Sequence, residues 1–316
     1  MTTLARTTAA LAALLLAGAL TAVPAAPAAA AGNGRWAVVP TPPKTPTPAA
    51  RQYFFLESPP GQTVLDSVRV TNLTDAALTL RVYGADAYNT ADDGGFGLRE
   101  QSQPQHDIGA WTSTGVTDLV VPARRGADIP FTVVVPSNAS PGDHVGGIVV
   151  AEAAPSGQLD SGGVAVAVRQ AVAARVYLRV SGPAVPALTV GAAAAERDRI
   201  AYTVTNTGNL HLAPTITVAS TGLFGHAVQA GPVPKLDLVP GAQTVLRTAL
   251  RGAWPVDVVT TTVTVTADGG VRASTEATTV TGGWQLLAAV GVLLAAGFAL
   301  LRRRRRARLR RPRGIA

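Results

Sequence analysis

Few side chains in this sequence could perform chemistry, and their spacing matches no known catalytic or metal site. The four histidines lack the H-x-H or H-E-x-x-H spacing that directs two imidazoles at one metal ion; they are His106, His144, His211 and His226. No G-x-S-x-G segment presents a serine nucleophile on a sharp turn. Cysteine is absent, which excludes thiol catalysis and cysteine-ligated zinc. We therefore expect no catalytic residue, no metal and no cofactor.

Neighbouring carboxylates are the remaining route to hydrolysis. Asp92 and Asp93 adjoin each other in a glycine-rich turn, where such side chains diverge and stay in water. A general acid needs a pKa raised by burial, so this pair is a poor catalytic dyad. Together with Asp86 it is a candidate for calcium binding, although the D-x-D-x-D-G loop is missing. The sequence leaves calcium binding at this turn open.

Aromatic residues are scarce, and most of them fall in the first half of the chain. A flat aromatic ring commonly stacks on the apolar face of a sugar, and polar groups beside the ring form hydrogen bonds with the sugar hydroxyls. The first half is therefore the better candidate for ligand binding, although core packing is the alternative for each ring. The candidate ligand-binding residues are Tyr88, Trp111, Asp143 and His144.

The elements that must position these residues are strands. Runs rich in valine, threonine and isoleucine alternate with glycine, proline, asparagine and aspartate, and no amphipathic helix separates them. In residues 78–83, Leu78, Leu80 and Val82 share one face, and Thr79, Arg81 and Tyr83 share the other. The pattern predicts an all-β protein with two immunoglobulin-like β-sandwiches in tandem. Their predicted bounds are 53–182 and 183–280, after a proline-rich extended segment over 32–52.

The two ends of the chain predict where the protein resides. Residues 1–31 are typical of a secretory signal peptide. Residues 284–301 form an apolar run of the length that a membrane-spanning helix needs, with Trp284 at one boundary. The arginines after it predict a cytoplasmic tail over 302–316; those next to the run are Arg302, Arg303, Arg304, Arg305 and Arg306. We expect a single-pass protein of a bacterial cell membrane, with its bulk outside the cell.

The positive charge of the chain, +8 in total, belongs to this tail. Without Arg6 and the tail arginines, acidic residues slightly outnumber basic ones. The expected partners therefore exclude nucleic acid, because the part that would meet it is not basic. The membrane is an expected partner, since a basic tail contacts anionic lipids.

Several stretches resemble one family of surface proteins in their order and spacing. They are YFFLESPPGQTVLDSVRV at 53–70, YNTADDGGF at 88–96, the segment Ile108–Trp111, PGDHVGGIV at 141–149 and VTNTGNLHLAP at 204–214. Together they resemble the WxL-interacting proteins of Gram-positive bacteria, with their peptidoglycan-binding (DUF916-like) domain. The first stretch departs from the family pattern at Phe55 and Pro59.

The resemblance implies a protein with two immunoglobulin-like domains and no catalytic residue. The first domain would bind peptidoglycan and the second would contact other surface proteins. Three functions follow as hypotheses. The first is peptidoglycan binding without catalysis. The second is an envelope scaffold or adhesion protein that binds another surface protein by strand addition to a sheet edge. The third, a wall hydrolase, requires a cleft with a buried acid or a metal.

Overall fold

The computed structural model describes residues 31–43, 51–155, 157–161, 164–196 and 198–309. The predicted signal peptide over 1–31 lies outside the described residues except for its last position. The tail beyond residue 309 lies outside them as well.

The first half of the described chain forms two large sheets and a hairpin. Its strands are β1 (Ala31–Gly32), β2 (Trp36–Pro40), β3 (Phe54–Ser58), β4 (Thr63–Asn72), β5 (Leu78–Asn89), β6 (Phe96–Leu98), β7 (Thr112–Thr114), β8 (Asp118–Val121), β9 (Gly126–Val134), β10 (Gly142–Glu152), β11 (Gly157–Ser161), β12 (Val164–Val168) and β13 (Ala171–Val180). A single helical turn, α1 (Ile108–Trp111), precedes β7. The five-stranded sheet has the order β1-β2-β4-β9-β7, and the six-stranded sheet has the order β3-β13-β10-β5-β6 with β8 beside β5. The pairing of β3 with β13 is parallel, and β11 pairs with β12 as a separate hairpin.

One hydrophobic core lies between these sheets, because both contribute alternate residues to the same cluster. Phe54 of β3 meets Phe131 of β9 edge to face, with ring centroids 5.0 Å apart. Leu80 and Val82 of β5 are fully buried, as the alternation in 78–83 predicts. Trp36 is also fully buried, and β2 pairs with β4. Part of the segment predicted as proline-rich and extended is therefore a strand of the five-stranded sheet.

The second half forms an eight-stranded sheet system with its own core. Its strands are β14 (Leu188–Val190), β15 (Ala194–Glu196), β16 (Arg199–Asn206), β17 (Thr215–Thr221), β18 (Ala227–Ala230), β19 (Gln243–Arg251), β20 (Asp257–Ala267) and β21 (Val271–Thr281), in the order β14-β16-β19-β18-β17-β20-β21 with β15 beside β16. Buried Tyr202, Leu238 and Leu246 belong to its core. The predicted turn at Asp268–Gly270 joins β20 to β21, since two glycines there accept positive φ angles. The all-β prediction is confirmed; the division into two immunoglobulin-like sandwiches stays a prediction.

The C-terminal helix, α2 (Gly283–Leu309), contains the apolar run. Within the described residues, no helix is both long and apolar enough to cross a membrane. The prediction of a transmembrane helix over 284–301 is therefore wrong.

Two further predictions depended on that span and are corrected with it. One is the location in a bacterial cell membrane. The other is the role of the flanking residues in setting a membrane topology; these were Trp284, Arg302, Arg303, Arg304, Arg305 and Arg306. In the structure all six belong to α2, and the arginines continue the helix beyond its apolar part without a break.

Candidate functional site

His144, a predicted ligand-binding residue, lies in β10 and is buried. Its Nδ1 atom lies 2.6 Å from Asp107 Oδ1, and its Nε2 atom lies 2.9 Å from the Ser140 carbonyl oxygen. Both ring nitrogens therefore face acceptors, which favours the doubly protonated ring. Burial lowers the pKa of His144, but the hydrogen bonds to Asp107 and Ser140 outweigh it, so that the pKa is raised. The side chain ties the start of β10 to the segment before α1.

Trp111 packs against His144, with ring centroids 4.6 Å apart. Trp111 and His144 are therefore neighbours in the structure, and both side chains are turned largely inward. The helical turn α1 lies against β10 because Gly146 has no side chain, since a Cβ there would come within 2.6 Å of Ile108 Cβ. Buried Asp86 holds the same turn by accepting the backbone N–H of Gly109 at 2.7 Å. These residues stabilise the packing of α1 on β10 and do not line an open binding site.

Asp143, beside His144, points the other way and joins the two halves of the chain. Its carboxylate pairs with Arg179 at 2.7 and 2.9 Å and accepts the backbone N–H of His211 at 2.9 Å. Asn209 completes the joint by accepting the Asp143 N–H at its carbonyl at 2.7 Å. The stretches 141–149 and 204–214 therefore contact each other in the folded chain. We call this contact the junction.

A second set of junction contacts surrounds Asp237. Its carboxylate contacts the ring of His211, lies 2.5 Å from an Arg175 guanidinium nitrogen and accepts the Tyr177 hydroxyl at 3.1 Å. Burial raises the pKa of Asp237, but His211 and Arg175 outweigh it and the pKa is lowered. Burial raises the pKa of Tyr177 to about 12, so the phenol stays protonated and donates to the carboxylate.

Tyr88, the fourth predicted residue, lies in β5 and is 40% exposed. The guanidinium of Arg99 lies 6.0 Å from its ring centroid. Among the described residues, no hydrogen bond or ring contact joins Tyr88 to Trp111, Asp143 or His144. The structure therefore brings together three of the four predicted residues, around β10, and leaves Tyr88 apart.

A cavity lies elsewhere, on the outer face of the six-stranded sheet. It measures about 710 Å³, and its lining includes Arg81, Tyr83, Glu100, Gln101 and Arg169. Small residues of β10 and β13, among them Ala151 and Ala171, also line it, which lets a ligand approach the sheet closely. Burial raises the pKa of Tyr83, so its hydroxyl is a donor at neutral pH.

A second depression of about 310 Å³ continues the first and shares Tyr83, Glu100 and Ala171 with it. It adds Phe96 and Arg175, whose guanidinium lies 3.9 Å from the Phe96 ring centroid. We call the two depressions together the outer groove. It combines aromatic rings, cations, two carboxylates (Glu100 and Glu152) and the side-chain amide of Gln101 along an open sheet face.

Arg169 differs from the other cations of the groove. Arg81 pairs with Asp118 at 3.1 Å, and Arg175 pairs with Asp237. Arg169 is exposed, and it makes no ion pair within the part of the chain that the structure describes. Its guanidinium is therefore available to an anionic group of a ligand.

The groove was not predicted from the sequence, although the alternation of side chains in β5 indicated the exposed face of Arg81 and Tyr83. The alternation in β5 places Arg81 and Tyr83 on the face opposite to the core. Nothing in the sequence distinguishes Arg169, because its place in the groove depends on the pairing of β13 with β10.

The glycine-rich turn carries no metal cluster in the described residues, where no group of three or more histidine or acidic side chains could hold an ion. Asp93 instead accepts hydrogen bonds from the hydroxyl of Thr90 and the N–H of Gly95. These bonds lower the pKa of Asp93. The turn is closed by its own hydrogen bonds.

Comparison with known proteins yields distant structural likeness alone. No family model matches the chain, and no curated protein matches it. Among solved structures, the Pseudomonas aeruginosa CupB2 chaperone has 12% identity and a TM-score of 0.35, with 73% of this chain and 97% of that chain covered. The YadV chaperone has 13% identity and a TM-score of 0.38, with 78% and 100% covered. The E. coli chaperone DraB has 11% identity and a TM-score of 0.35, with 71% and 93% covered. Likeness at this level carries no argument about function.

Proposed function

We propose that this chain is a non-enzymatic binding protein whose outer groove holds peptidoglycan. It would do so on the first of two immunoglobulin-like sandwiches. The observation that carries the proposal is the exposed Arg169 guanidinium beside Tyr83 in the cavity of about 710 Å³. An open groove on a sheet face suits an extended polymer better than a small enclosed ligand.

The chemistry of the groove fits a polymer of amino sugars that bears carboxylates. Phe96 and Tyr83 offer apolar ring surface for sugar faces. Glu100 and Gln101 offer hydrogen-bonding groups for hydroxyl and acetamido groups. Arg169 offers a planar cation for a lactyl or peptide carboxylate, which a guanidinium binds through two parallel hydrogen bonds. Peptidoglycan contains all of these groups, and the sequence resemblance points to the same ligand.

Sedimentation of the full chain with purified peptidoglycan sacculi tests this proposal. Arg169→Ala should weaken binding about ten- to hundredfold, because a charge-assisted hydrogen bond contributes about 1.5–3 kcal/mol and each 1.4 kcal/mol or so is a factor of ten. Arg272→Ala, which removes an equal charge from the exposed face of β21, is the matched control and should bind like the unaltered chain. Circular dichroism and thermal unfolding show whether each variant is folded.

Two results would overturn the proposal. One is a failure of the unaltered chain to sediment with sacculi at physiological salt. The other is an equal loss of sacculus binding in both arginine variants, which would show that binding depends on net charge alone.

A second candidate is binding of another surface protein, which an exposed apolar tip in the second half favours. Phe224 is 90% exposed, and Trp254 lies near it and is 45% exposed. Buried Asp257 fixes the tip by accepting the backbone N–H of Leu223 at 2.8 Å and of Trp254 at 3.0 Å. A rigid, exposed aromatic tip is typical of protein contacts.

A photo-crosslinker placed at position 224 in cells tests this candidate. A discrete protein adduct that Trp254→Ala removes supports it. Adducts that are unchanged by Trp254→Ala, or absent, contradict it without affecting the sacculus experiment.

A further inference from the structure

We propose that Glu100 and Arg169 together bind a zwitterion in the outer groove, namely the ammonium and the carboxylate that one amino-acid centre of a wall peptide carries. The inference rests on the proposed function and names the part of the polymer that the groove recognises. In peptidoglycan, such a centre is the free side-chain end of a diaminopimelate residue in the peptide stem. A lysine in that place offers the ammonium without the carboxylate.

The two side chains are unpaired charges of opposite sign in one cavity. Glu100 and Arg169 both line the cavity of about 710 Å³, and both are exposed. Within the part of the chain that the structure describes, neither side chain makes an ion pair or a hydrogen bond. The other carboxylate of the cavity, Glu152, is already paired with Arg35. A ligand with a single charge would satisfy one of the two free side chains, whereas a zwitterion satisfies both.

The hydroxyl of Tyr83 is close to both charges. Burial raises the pKa of Tyr83 most, and a hydrogen bond with the backbone of Gln101 lowers it; the Glu100 carboxylate then raises this pKa and the Arg169 guanidinium lowers it. Charges affect a titrating group in this way only over a short distance. The carboxylate and the guanidinium therefore lie near the same oxygen atom, and the protonated hydroxyl is a further donor for the ligand's carboxylate.

The backbone around Glu100 is fixed without the use of its carboxylate. The N–H of Glu100 donates to the side-chain oxygen of Gln103 at 3.0 Å. Its carbonyl oxygen accepts the N–H of Gln103 at 3.0 Å and the side-chain amide of Gln105 at 3.0 Å. The side-chain oxygen of Gln105 in turn accepts the N–H of Asp86 in β5 at 2.7 Å. Binding therefore has to order only the Glu100 side chain, which keeps the entropic cost small.

The backbone next to Arg169 is fixed in a similar way, beside a floor of small residues. The N–H of Gln170 donates to the Glu152 carboxylate at 3.2 Å, and the carbonyl oxygen of Gln170 accepts the N–H of Glu152 at 3.0 Å. Ala151 of β10 is directly opposite Ala171 of β13, and both line the cavity. Their methyl groups leave room for the end of a peptide side chain to lie on the sheet near the two charges.

The ammonium determines which state of the wall the groove would prefer. Cross-linking of two stems acylates this ammonium and removes its charge, while the neighbouring carboxylate stays charged. A cross-linked stem would therefore present an amide to Glu100, and a neutral donor binds a carboxylate more weakly than a cation does. The groove should accordingly prefer stems that are not yet cross-linked.

Binding of the full chain to four soluble probes tests the inference. Three are disaccharide–tripeptide monomers that differ only at the diaminopimelate side chain, which is unmodified, amidated at its carboxylate or acetylated at its ammonium. The fourth is free diaminopimelate. The unaltered chain should bind the unmodified monomer at least about tenfold more tightly than either modified monomer, because each modification removes one charge-assisted hydrogen bond. It should bind the free diamino acid more weakly still, since the rest of the monomer also contacts the groove.

Two variants should give a crossed pattern. Arg169→Gln should lose the preference for the carboxylate over its amide and keep the preference for the ammonium. Glu100→Gln should lose the preference for the ammonium and keep the preference for the carboxylate. Arg272→Gln and Glu276→Gln, which make the same changes on the exposed face of β21, are the matched controls and should keep both preferences. Circular dichroism shows whether each variant is folded.

The outcomes separate this inference from the proposed function. If the unaltered chain sediments with sacculi but binds the three monomers equally, or binds none of them, the zwitterion is not what the groove recognises and peptidoglycan binding still stands. If either groove variant loses both preferences together, the separate roles of Glu100 and Arg169 are refuted. If free diaminopimelate binds as tightly as the unmodified monomer, the pair serves a free amino acid and the assignment to a wall peptide is refuted. If the chain binds neither sacculi nor monomers, the proposed function itself fails.

Discussion

The junction makes a sharp prediction at Gly142, the first residue of β10. Its φ angle is +123°, a region that residues with a side chain rarely adopt. A Cβ at this position would lie 2.3 Å from the Asn209 carbonyl oxygen. That oxygen accepts the N–H of Asp143, so Gly142→Ala must move the group that closes the joint.

The expected cost has two parts. Backbone strain at a positive φ contributes about 1–3 kcal/mol. Displacing Asn209 loses its hydrogen bond with Asp143, which contributes about 1 kcal/mol. We expect Gly142→Ala to lower the free energy of unfolding by about 3 kcal/mol. For a chain of this size the melting temperature should fall by about 6–12 °C.

Denaturant unfolding monitored by circular dichroism measures this cost. Gly241→Ala is the matched control, because Gly241 also has a positive φ, of +75°, but nothing lies within 4 Å of a Cβ there. The control should lose only about 1 kcal/mol, from left-handed strain alone. Equal losses in the two variants would show that Asn209 does not constrain Gly142 and would refute the close packing of the junction.

Three further predictions follow from other parts of the fold. The folded-state pKa of His144 is raised, so the stability that its protonated ring contributes is fully present below the ordinary pKa of 6.5 and is lost as pH rises through the folded-state pKa. The difference in melting temperature between the unaltered chain and His144→Ala should therefore shrink from pH 6 to pH 9. A difference that stays constant over this range would show that His144 is not protonated in the folded chain. Burial raises the pKa of Asp257, but the backbone N–H groups of Leu223 and Trp254 and the ring of His226 outweigh it and lower the pKa to about 2. The loss of stability caused by Asp257→Asn should therefore be full at pH 6 and decrease as pH falls from about 4 towards 2. A loss of stability that is undiminished at pH 2 would refute the lowered pKa. Sacculus suspensions mixed with the chain should keep their turbidity, and clearing would favour the wall hydrolase.

The sequence predicted the strand faces and turns that depend on residues close together in the chain. The alternation of Leu80 and Val82 with Arg81 and Tyr83 fixes which side of β5 is buried, because side chains along a strand point to opposite faces. The hairpin at Asp268–Gly270 could be predicted for a similar reason, since two adjacent glycines between strands favour a tight turn.

Contacts between residues that lie far apart in the sequence could not be predicted. The aromatic and acidic character of Trp111, His144 and Asp143 suggested a surface site, but their partners are remote in sequence. His144 meets Asp107, and Asp143 meets Arg179 and the backbone of His211. The outer groove likewise exists only because β13, β10 and β5 lie side by side, an order that local patterns do not contain.

Arg175 belongs to two systems at once. It contacts Phe96 in the groove, and it pairs with Asp237 in the segment between β18 and β19 of the second half. A ligand that restrains this guanidinium therefore also acts on the contact between the halves. Because thermodynamic linkage is reciprocal, any effect of such a ligand on that contact would be matched by an equal effect of the contact on the affinity for the ligand. A ligand bound at this guanidinium would therefore be mechanically coupled to the second half through this ion pair, in parallel with the contacts of Asp143.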